Sequence, residues 1–289
     1  MTSPTPPRCI LVTGSTGFIA RHLLAHLRTR GDQVIALRRG ERPPPGQRID
    51  AVVNLAGAPI LGLPWTASRR RQLLASRVDT TRALLQALAD DGQHPAVFVS
   101  ASAIGYYGVR GDEPLDEQAE PQPIFQSRLC REWEEAACAA EALGSRVVRL
   151  RLGVVLGRDG GALPQLALPV RLGLGAILGS GRQGAPWIHI EDVVRLIEWA
   201  LDQPQLVGAV NAVAPGHVTH AQMQRALARV LHRPLWLRVP AFVLRAALGE
   251  MAQLLVDGQH VVPARALAAG FTFAHPQLEP ALQDLLRAV

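Results

Sequence analysis

Residues 8–31 read RCILVTGSTGFIARHLLAHLRTRG, and the architecture of the whole chain can be worked out from this stretch. The apolar run CILVT is typical of a strand that is buried on both faces. GSTG then leads into a helix, because Ile19, Leu23 and Leu27 recur at helical spacing and Gly31 supplies a stop signal. We interpret the stretch as the first strand–turn–helix unit of a parallel sheet.

The same alternation of short apolar strands and helices continues to about residue 155. Further strands are predicted at QVIALRR, AVVNLAG, AVFVSAS and RVVRLRLGVVLG. This rhythm predicts an α/β fold with a Rossmann-type, doubly wound parallel sheet over residues 1–155. We expect residues 156–289 to form a smaller, mostly helical C-terminal lobe on the substrate side. Some of its segments should return to the sheet, because GAVNAVA (208–214) looks like one more strand.

Basic residues are numerous, and every one of the 30 is arginine. Because the chain has no lysine, it can form no Schiff base and has no P-loop lysine. The net charge of +6 could attract nucleic acid, but neither an aromatic-rich RNA-binding signature nor a helix-turn-helix pattern accompanies it. Nucleic acid is therefore not an expected partner.

The cysteines and the apolar runs bear on metal binding and compartment. Cys9, Cys130 and Cys138 show neither a metal-binding spacing nor an even disulfide set, so no metal is expected. The start, MTSPTPPR, has no apolar signal segment, and no uninterrupted apolar run is long enough to span a membrane. We expect a soluble, cytoplasmic protein without a membrane partner.

The turn after the first strand has the spacing of a dinucleotide-binding loop, with Gly14, Gly17 and Ala20 at the three fingerprint positions. The first glycine permits the tight turn, and the second lets the backbone approach a pyrophosphate. The helix that follows offers free N–H groups to phosphates. An ordinary βα turn is the alternative. The predicted cofactor contacts in this loop are Gly14, Ser15, Thr16, Gly17, Phe18 and Ile19.

The end of the second strand indicates which dinucleotide is bound. An acidic residue there would bind the ribose 2′-hydroxyl of NAD, but the chain reads Arg38-Arg39, and Asp32 comes before the strand. Arginine pairs with a 2′-phosphate through charge-assisted hydrogen bonds. We therefore predict NADP(H), with Arg38 favoured over Arg39 as the contact.

Several longer segments resemble the extended short-chain dehydrogenase/reductase superfamily: VTGSTGFIARHL, VVNLAG, FVSASAIGYYG, LRLGVVLG and GSGRQGAPWIHIEDV. Others resemble its atypical epimerase-family branch, also described as sugar-nucleotide epimerase-like or SulA-homologue proteins: WTASRRRQLLASRVDTTRALL, LCREWE and AGFTFAHPQLEPAL. That branch carries a C-terminal domain of unknown function. The likeness covers nearly the whole chain and implies an NADP(H)-binding Rossmann domain. It also implies cofactor contacts at Leu55, Ala56, Gly57, Ala101, Gly153 and Val154.

Arg77 resembles a feature of that branch, and its interpretation as a cofactor contact competes with that of a helix-surface arginine. The chain also departs from the superfamily between the second and third strands. Only GERPPPGQRI (40–49) separates them, so one βα unit is expected to be missing and the adenine side to be open.

The second departure concerns catalysis. The superfamily uses a tyrosine and, four residues later, a lysine, whereas the matching positions here are Ile124 or Phe125 and then Arg128. An apolar side chain cannot transfer a proton, and arginine stays protonated. Arg128 is nevertheless predicted to contact the cofactor ribose.

Three hydroxyl groups are candidates to replace the missing tyrosine. Ser102 matches the superfamily serine at a strand end, with packing against the cofactor as the alternative. Tyr106 and Tyr107, the only tyrosines in the chain, are the other candidates, with simple packing as their alternative. On the substrate side we predict Arg182, Trp187 and His189, although a structural hydrogen bond is the commoner role for a histidine placed like His189.

Two main functions remain open at this point, beside a weaker third, a nucleic-acid-associated atypical reductase whose binding would depend steeply on salt. The first is an NADP(H)-dependent oxidoreductase or epimerase-like enzyme that acts on an unknown small molecule. The second is a non-catalytic NADPH-binding sensor or scaffold. By resemblance, the helices expected at residues 66–90 and 127–143 are possible surfaces for a homodimer.

Overall fold

The computed structural model describes residues 7–60, 62 and 65–287. Short strands and helices alternate along most of this length. The strands are β1 (Cys9–Thr13), β2 (Gln33–Leu37), β3 (Ala51–Asn54), β4 (Val97–Ala103), β5 (Pro114–Leu115), β6 (Arg146–Leu152), β7 (Val154–Gly157), β8 (Gly160–Gly161), β9 (Ala176–Leu178), β10 (Trp187–His189), β11 (Gly208–Ala212), β12 (Leu237–Val239) and β13 (His260–Val261).

The helices are α1 (Phe18–Arg30), α2 (Ala67–Ala75), α3 (Val78–Asp90), α4 (Phe125–Cys138), α5 (Leu163–Arg171), α6 (Ile190–Asp202), α7 (His220–Val230), α8 (Ala241–Leu248), α9 (Gln253–Val256), α10 (Ala264–Ala268) and α11 (Leu278–Leu286). Short 3₁₀ segments cover Ile104–Tyr107, Ala139–Leu143 and Gly249–Ala252.

Six parallel strands form the main sheet, in the order β11-β6-β4-β3-β1-β2. The chain runs from β1 outward to β2, and then crosses to β3 on the other side of β1. This reversal creates a topological switch point between β1 and β3, where open α/β sheets bind their ligands. The predicted doubly wound Rossmann-type sheet is therefore confirmed.

The sheet is covered on both faces because side chains alternate along each strand. Ile10 and Val12 pack on one face with Leu23 and Leu27 of α1, whereas Leu11 packs on the opposite face. Helix α6 joins the first layer, and α3 joins the second together with the end of α4. Burial on both faces explains why these strands read as continuous apolar runs rather than alternating ones.

The short connection after β2 has a clear structural consequence. Residues 38–50 contain neither a helix nor a strand, and β2 pairs only with β1 in the described part of the sheet. This agrees with the prediction that one βα unit is missing. The side of the sheet that would receive an adenosine is left uncovered beyond β2.

The C-terminal region is divided between the sheet and a second core. Helices α5, α7 and α11 pack together in that second core, and α8 to α11 give the lobe the predicted helical character. However, β11 and α6 also belong to residues 156–289, and they complete the main sheet and its first helical layer. The boundary near residue 155 stays a prediction. Among the helices described, none is both long and apolar enough to traverse a bilayer.

Candidate functional site

The loop after β1 is shaped around Gly14. Its φ of +64° lies in the left-handed region, and a Cβ atom there would lie 2.8 Å from the carbonyl oxygen of Leu55. The Gly17 amide closes the turn by donating a 2.8 Å hydrogen bond to the Gly14 carbonyl. No larger residue fits at position 14, so the backbone of this turn can approach a ligand closely.

The N-terminus of α1 follows at once and has the character of an anion site. Gly17 is the N-cap and offers no side chain, and the first turn has no acidic residue. The first intrahelical hydrogen bond runs from the Arg21 amide to the Gly17 carbonyl at 3.0 Å, so the amides before it are not used within the helix. Thr16 and Gly17 are exposed to solvent here. Such an uncapped start favours phosphate.

The other residues of this loop that were predicted to contact the cofactor, Ser15, Phe18 and Ile19, also make contacts within the protein. The amide of Ser15 donates to the carbonyl of Leu37 at 3.2 Å, which ties the turn to β2. The ring of Phe18 packs over the glycines of the β7–β8 hairpin, and Ile19 packs against the core beneath the sheet. The side chains of Phe18 and Ile19 therefore serve packing, and their backbone amides are what they offer to a ligand.

Arg38 and Arg39 lie just beyond β2, and both side chains are exposed. The nearby carboxylate of Glu41 accepts a 2.7 Å hydrogen bond from the Arg38 backbone amide, which turns this acidic group onto the loop itself. Neither guanidinium group has a hydrogen-bond or salt-bridge partner among the described residues, and both lie at the open edge of the sheet, where the sequence predicts a 2′-phosphate.

The loop after β3 is held in place by hydrogen bonds to the Thr13 side chain. The Thr13 hydroxyl donates to the Asn54 side-chain oxygen at 2.7 Å and accepts from the Leu55 amide at 3.2 Å. This fixes residues 55–57 against the Gly14 turn, with Leu55 and Ala56 half-buried and Gly57 exposed. The small-residue loop therefore lies at the switch point, as the resemblance implies.

Arg77 supports the same loop from the opposite side. Its guanidinium donates to the Ala58 carbonyl at 2.9 Å and the Leu73 carbonyl at 3.2 Å, and it lies 5.1 Å from the Trp133 ring centroid. Burial lowers the pKa of Arg77. A Cβ atom on Gly57 would lie 3.3 Å from the guanidinium carbon. These contacts assign Arg77 a structural task and do not favour a direct cofactor contact.

The other predicted cofactor contacts at strand ends, Ala101, Gly153 and Val154, pack against neighbouring residues of the protein. Ala101 is 5% exposed within β4. A Cβ atom on Gly153 would lie 2.8 Å from Val213 and 2.9 Å from the Pro186 carbonyl oxygen, so this glycine is required by chain packing. The side chain of Val154 packs at the edge of the second core.

Ser102 does not face an open cleft. Its hydroxyl donates a 2.7 Å hydrogen bond to Glu134 of α4, and the residue is 1% exposed. The same carboxylate receives two hydrogen bonds from Arg151 of β6, at 2.8 and 3.0 Å. Although burial alone would lower the pKa of Arg151, the hydrogen bonds and charge of Glu134 outweigh it and raise that pKa. This placement favours a structural role for Ser102.

The two tyrosines have different surroundings. Tyr107 is fully buried, donates to Asn211 at 2.6 Å and accepts from Arg151 at 2.9 Å. Burial raises the pKa of Tyr107 to about 12, so its proton is held tightly. Tyr106 is only half-buried, and its ring centroid lies 3.5 Å from the guanidinium carbon of Arg151. Tyr106 is thus the tyrosine nearer to solvent.

The register of α4 places the side chain of Arg128 on the outer face of the helix. Its side chain is 57% exposed and pairs with Glu132 at 3.1 Å on the outer face of the helix, so it does not point toward β4. Together with Arg70 and Arg131 it lines a surface cavity near the start of α4. The contact between Arg128 and the cofactor ribose stays a prediction.

The inner face of α4 carries Gln126 and Cys130, which are four residues apart and nearly fully buried. Both adjoin Gly105 just after β4, where a Cβ atom would lie 3.5 Å from the Cys130 sulfur. Burial raises the pKa of Cys130 to about 12. The side-chain oxygen of Gln126 is buried without a hydrogen-bond partner among the described residues. These two residues occupy the helix face where a tyrosine–lysine pair would be expected.

The predicted substrate residues do not converge. Arg182 is exposed on a loop, and its backbone amide binds the Ser180 hydroxyl at 3.1 Å. Trp187 is 1% exposed and donates to the Gly216 carbonyl at 3.2 Å, so it is a core residue. His189 caps α6 by accepting the Glu191 amide proton at 3.1 Å. The structural alternative for His189 is therefore the one that the geometry favours.

His189, Glu191 and His275 also place three possible metal-ligand atoms close together. Because Nδ1 of His189 accepts the capping hydrogen bond, the proton of the neutral ring must be on Nε2. A metal at Nε2 would require that proton to leave or the helix cap to break. The two imidazole rings are stacked, with centroids 3.7 Å apart, rather than converging on one point. The geometry therefore favours capping and stacking over metal binding.

Comparison with known proteins agrees with this architecture. Residues 10–213 match the model of the NAD dependent epimerase/dehydratase family. The chain belongs to that family. Residues 239–285 match a second model, described as a domain of unknown function.

Relatives of this chain extend over nearly its whole length. It is 37% identical to the epimerase family protein YfhF of Bacillus subtilis, over 96% of this chain and 97% of that protein. It is 38% identical to the epimerase family protein SDR39U1 of mouse, over 96% of this chain and 99% of that protein. The solved structure of human SDR39U1 (isoform 2) with NADPH superposes with a TM-score of 0.88 at 35% identity, covering 96% of this chain and 98% of that one.

Sequence reasoning did not single out Glu134, Arg151, Asn211 or Gln126. A signal for the first two is present, because Arg149 and Arg151 alternate along a strand whose other residues, apart from Arg146 at its start, are apolar. A charged residue on a buried strand requires a buried partner. Which residue supplies that partner depends on how α4 packs on the sheet.

Proposed function

We propose that this protein binds NADP(H) across the switch point and uses it for hydride transfer to a small molecule, as an oxidoreductase or epimerase-like enzyme. The observation that carries the proposal is the combination of the Gly14 turn with the two exposed arginines beyond β2. The pyrophosphate would lie at the N-terminus of α1, and Arg38 or Arg39 would pair with the 2′-phosphate. The NADPH bound to human SDR39U1 supports this choice of dinucleotide.

The nicotinamide supplies the hydride when the cofactor is bound, and the protein must orient the substrate and handle a proton. Gln126 offers a buried, unpaired amide oxygen near the end of β4, which suits a hydroxyl donor such as a ribose. Neither Gln126 nor the high-pKa thiol of Cys130 is suited to proton transfer at neutral pH. Tyr106 is therefore the proposed proton donor, since Ser102 and Tyr107 are committed to buried partners.

A second candidate function is that of a sensor or scaffold that binds NADPH without turnover. The burial of Ser102 and Tyr107 in one hydrogen-bonded network favours it, because two of the three candidate hydroxyl groups then serve stability. In that case the C-terminal lobe would transmit the state of the bound cofactor.

Titrations with NADPH and NADH, followed by cofactor fluorescence, test the cofactor assignment. NADPH is expected to bind more tightly, and Arg38→Ala or Arg39→Ala should weaken its binding by about tenfold or more, since a charge-assisted hydrogen bond contributes about 1.5–3 kcal/mol. NADH affinity should change little. Arg131→Ala, an exposed arginine of α4 that pairs with Glu135, is the matched arginine control. Equal affinity for both dinucleotides in every variant would contradict the assignment.

Turnover separates the two candidate functions. The protein with bound NADPH would be screened against carbonyl compounds, with absorbance of the reduced nicotinamide as the readout. An enzyme should oxidise NADPH with at least one compound, and Tyr106→Phe should lower kcat while leaving NADPH affinity unchanged. If tight NADPH binding is accompanied by no oxidation across the screen, the sensor function is favoured.

A further inference from the structure

The C-terminal lobe exposes a group of large apolar side chains that nothing in the described chain covers. Trp236 is 77% exposed and Phe242 is 73% exposed, and helix α8 has no buried residue although it reads AFVLRAAL. Exposed leucines lie on α5 and the loop after it. We call this surface the apolar patch, and its members are Leu168, Leu172, Leu174, Trp236, Leu237, Phe242 and Val243.

Several contacts join these residues into one surface. The Trp236 indole donates to the Gly173 carbonyl at 3.3 Å, which holds it beside Leu172 and Leu174. Strand β12 pairs with β9, and α8 begins directly after β12 at Pro240. The apolar patch therefore extends from the end of α5 to α8. Isolated exposed apolar residues are ordinary, but a joined set of this size marks an interaction site.

Positive charges predominate around the patch, and the acidic Asp257 is paired with Arg245 of α8 at 2.8 Å. Residues 160–190 and 203–249 contain no aspartate or glutamate, whereas they contain seven arginines. Arg171, Arg233 and Arg238 are exposed next to the patch, and no salt bridge engages them within the part of the chain that the structure describes. Arg233 donates to the Arg171 backbone carbonyl at 3.1 Å, so the two lie together. These exposed cations are solvated in the free protein and can pair with the carboxylates or phosphates of a partner.

We propose that the apolar patch docks on an anionic phospholipid surface. Aromatic and aliphatic side chains would enter the boundary between headgroups and acyl chains, and the surrounding arginines would pair with lipid phosphates. A second copy of the chain fits less well. A two-fold symmetric contact would place Arg171, Arg233 and Arg238 of both copies in one interface, while Asp257, which adjoins α8, is already paired with Arg245. A nucleic acid would stack its bases on aromatic side chains and would leave the leucines of the patch without an apolar surface to pack against.

This inference goes beyond the proposed function and does not depend on it. Binding to the lipid surface would bring the protein to a membrane without any spanning helix. The N-terminus of α1 and the arginines beyond β2 contribute nothing to the patch. The two ligands can therefore be tested separately on the same purified protein.

The test is cosedimentation with vesicles of phosphatidylcholine alone and of phosphatidylcholine mixed with phosphatidylglycerol. Binding is expected only with the anionic vesicles, and it should weaken as salt is added because the arginines contribute through their charge. Trp236 is far more exposed than Trp65, Trp133 and Trp187, which are buried. Its transfer to lipid should therefore shift the tryptophan emission of the protein to shorter wavelength.

Variants identify the surface. Trp236→Ala with Phe242→Ala should lower the vesicle partition coefficient by about tenfold or more, since burying each aromatic side chain contributes roughly 1.5–3 kcal/mol. Arg233→Glu with Arg238→Glu should abolish the preference for anionic vesicles. The control is Leu267→Ala, which removes an apolar side chain that is 49% exposed and lies outside the patch. NADPH affinity and circular dichroism would show that each variant is folded.

Three outcomes would overturn the proposal. The first is no binding to anionic vesicles by the unaltered protein, and the second is equal binding by the Trp236/Phe242 double variant. The third is a dimer in solution, seen by light scattering, that is lost in the same double variant. That result would identify a second copy as the occupant of the patch.

Discussion

The hydroxyl of Ser102 donates a 2.7 Å hydrogen bond to the carboxylate of Glu134, and both residues are almost fully buried. The contact joins the end of β4 to the middle of α4. It removes from the cleft the serine that the family resemblance would place beside the substrate. The same carboxylate accepts two hydrogen bonds from Arg151, so Glu134 of α4 holds the side chains of both Ser102 in β4 and Arg151 in β6.

We expect Ser102→Ala to lower stability and to leave NADPH affinity unchanged. The loss should be about 1–2 kcal/mol, because a buried hydrogen bond to a charged group is removed. Urea unfolding and the cofactor titration measure the two effects. Unchanged stability combined with weaker NADPH binding would show that Ser102 contacts the ligand instead.

Glu134→Gln should be much more damaging than Glu132→Gln, although both lie on α4. The first change leaves the buried Arg151 without its counter-charge and should cost about 3–5 kcal/mol. The second removes an exposed pair with Arg128 and should cost at most about 0.5 kcal/mol. Denaturation of both variants checks the difference. Similar losses would mean that the Glu134–Arg151 pair contributes little.

Tyr107 should keep its proton in the folded protein well above pH 10. Burial raises its pKa to about 12, while an unfolded chain has the ordinary value near 10. This contribution to stability is complete below about pH 10 and is lost as pH rises toward 12. Tyr106→Phe leaves Tyr107 as the single tyrosine, so absorbance near 295 nm follows it alone. Ionisation near pH 10 in the folded state would contradict the buried placement.

His220 should make the protein less stable in acid. Burial lowers its pKa to about 4, against 6.5 for the unfolded chain. The neutral ring therefore contributes stability that is complete above pH 6.5 and declines as pH falls toward 4, by about 3 kcal/mol in total. His220→Asn should flatten the pH dependence of unfolding over that interval, and the exposed His94→Gln should not. Equal slopes in the two variants would exclude His220 as the cause.

Gly14→Ala should disrupt the cofactor site, whereas Gly31→Ala should not. Both glycines have positive φ, so each variant carries backbone strain of about 1–3 kcal/mol. Only at Gly14 does the new Cβ meet other atoms, 2.8 Å from the Leu55 carbonyl oxygen, while Gly31 has nothing within 4 Å. We expect both variants to lose thermal stability from strain, Gly14→Ala by more because of the clash, with NADPH binding lost only in Gly14→Ala. Normal binding by that variant would show that the turn can open.

Much of the fold could be predicted from neighbouring residues. The strand, the Gly14 turn and helix α1 depend on local spacing, and the Arg38-Arg39 pair needed only the end of β2 to be located. The missing βα unit was also visible, because ten residues cannot hold a helix and a strand. The candidate site was harder. Which side of α4 a residue occupies depends on the register of the helix, since a shift of two residues turns a side chain by about 200°. Gln126 and Cys130 face inward, whereas Arg128 faces solvent.

The sequence by itself determined the parallel sheet, the uncapped start of α1 and the absence of a tyrosine–lysine pair. These features follow from residue types and short-range spacing, which act before any distant contact forms. Only the tertiary structure decided that Ser102 and Tyr107 are locked in a buried network and that Tyr106 lies nearer to solvent. Tyr107 and Asn211 are 104 residues apart, and a buried hydroxyl takes whichever partner the packing brings within reach.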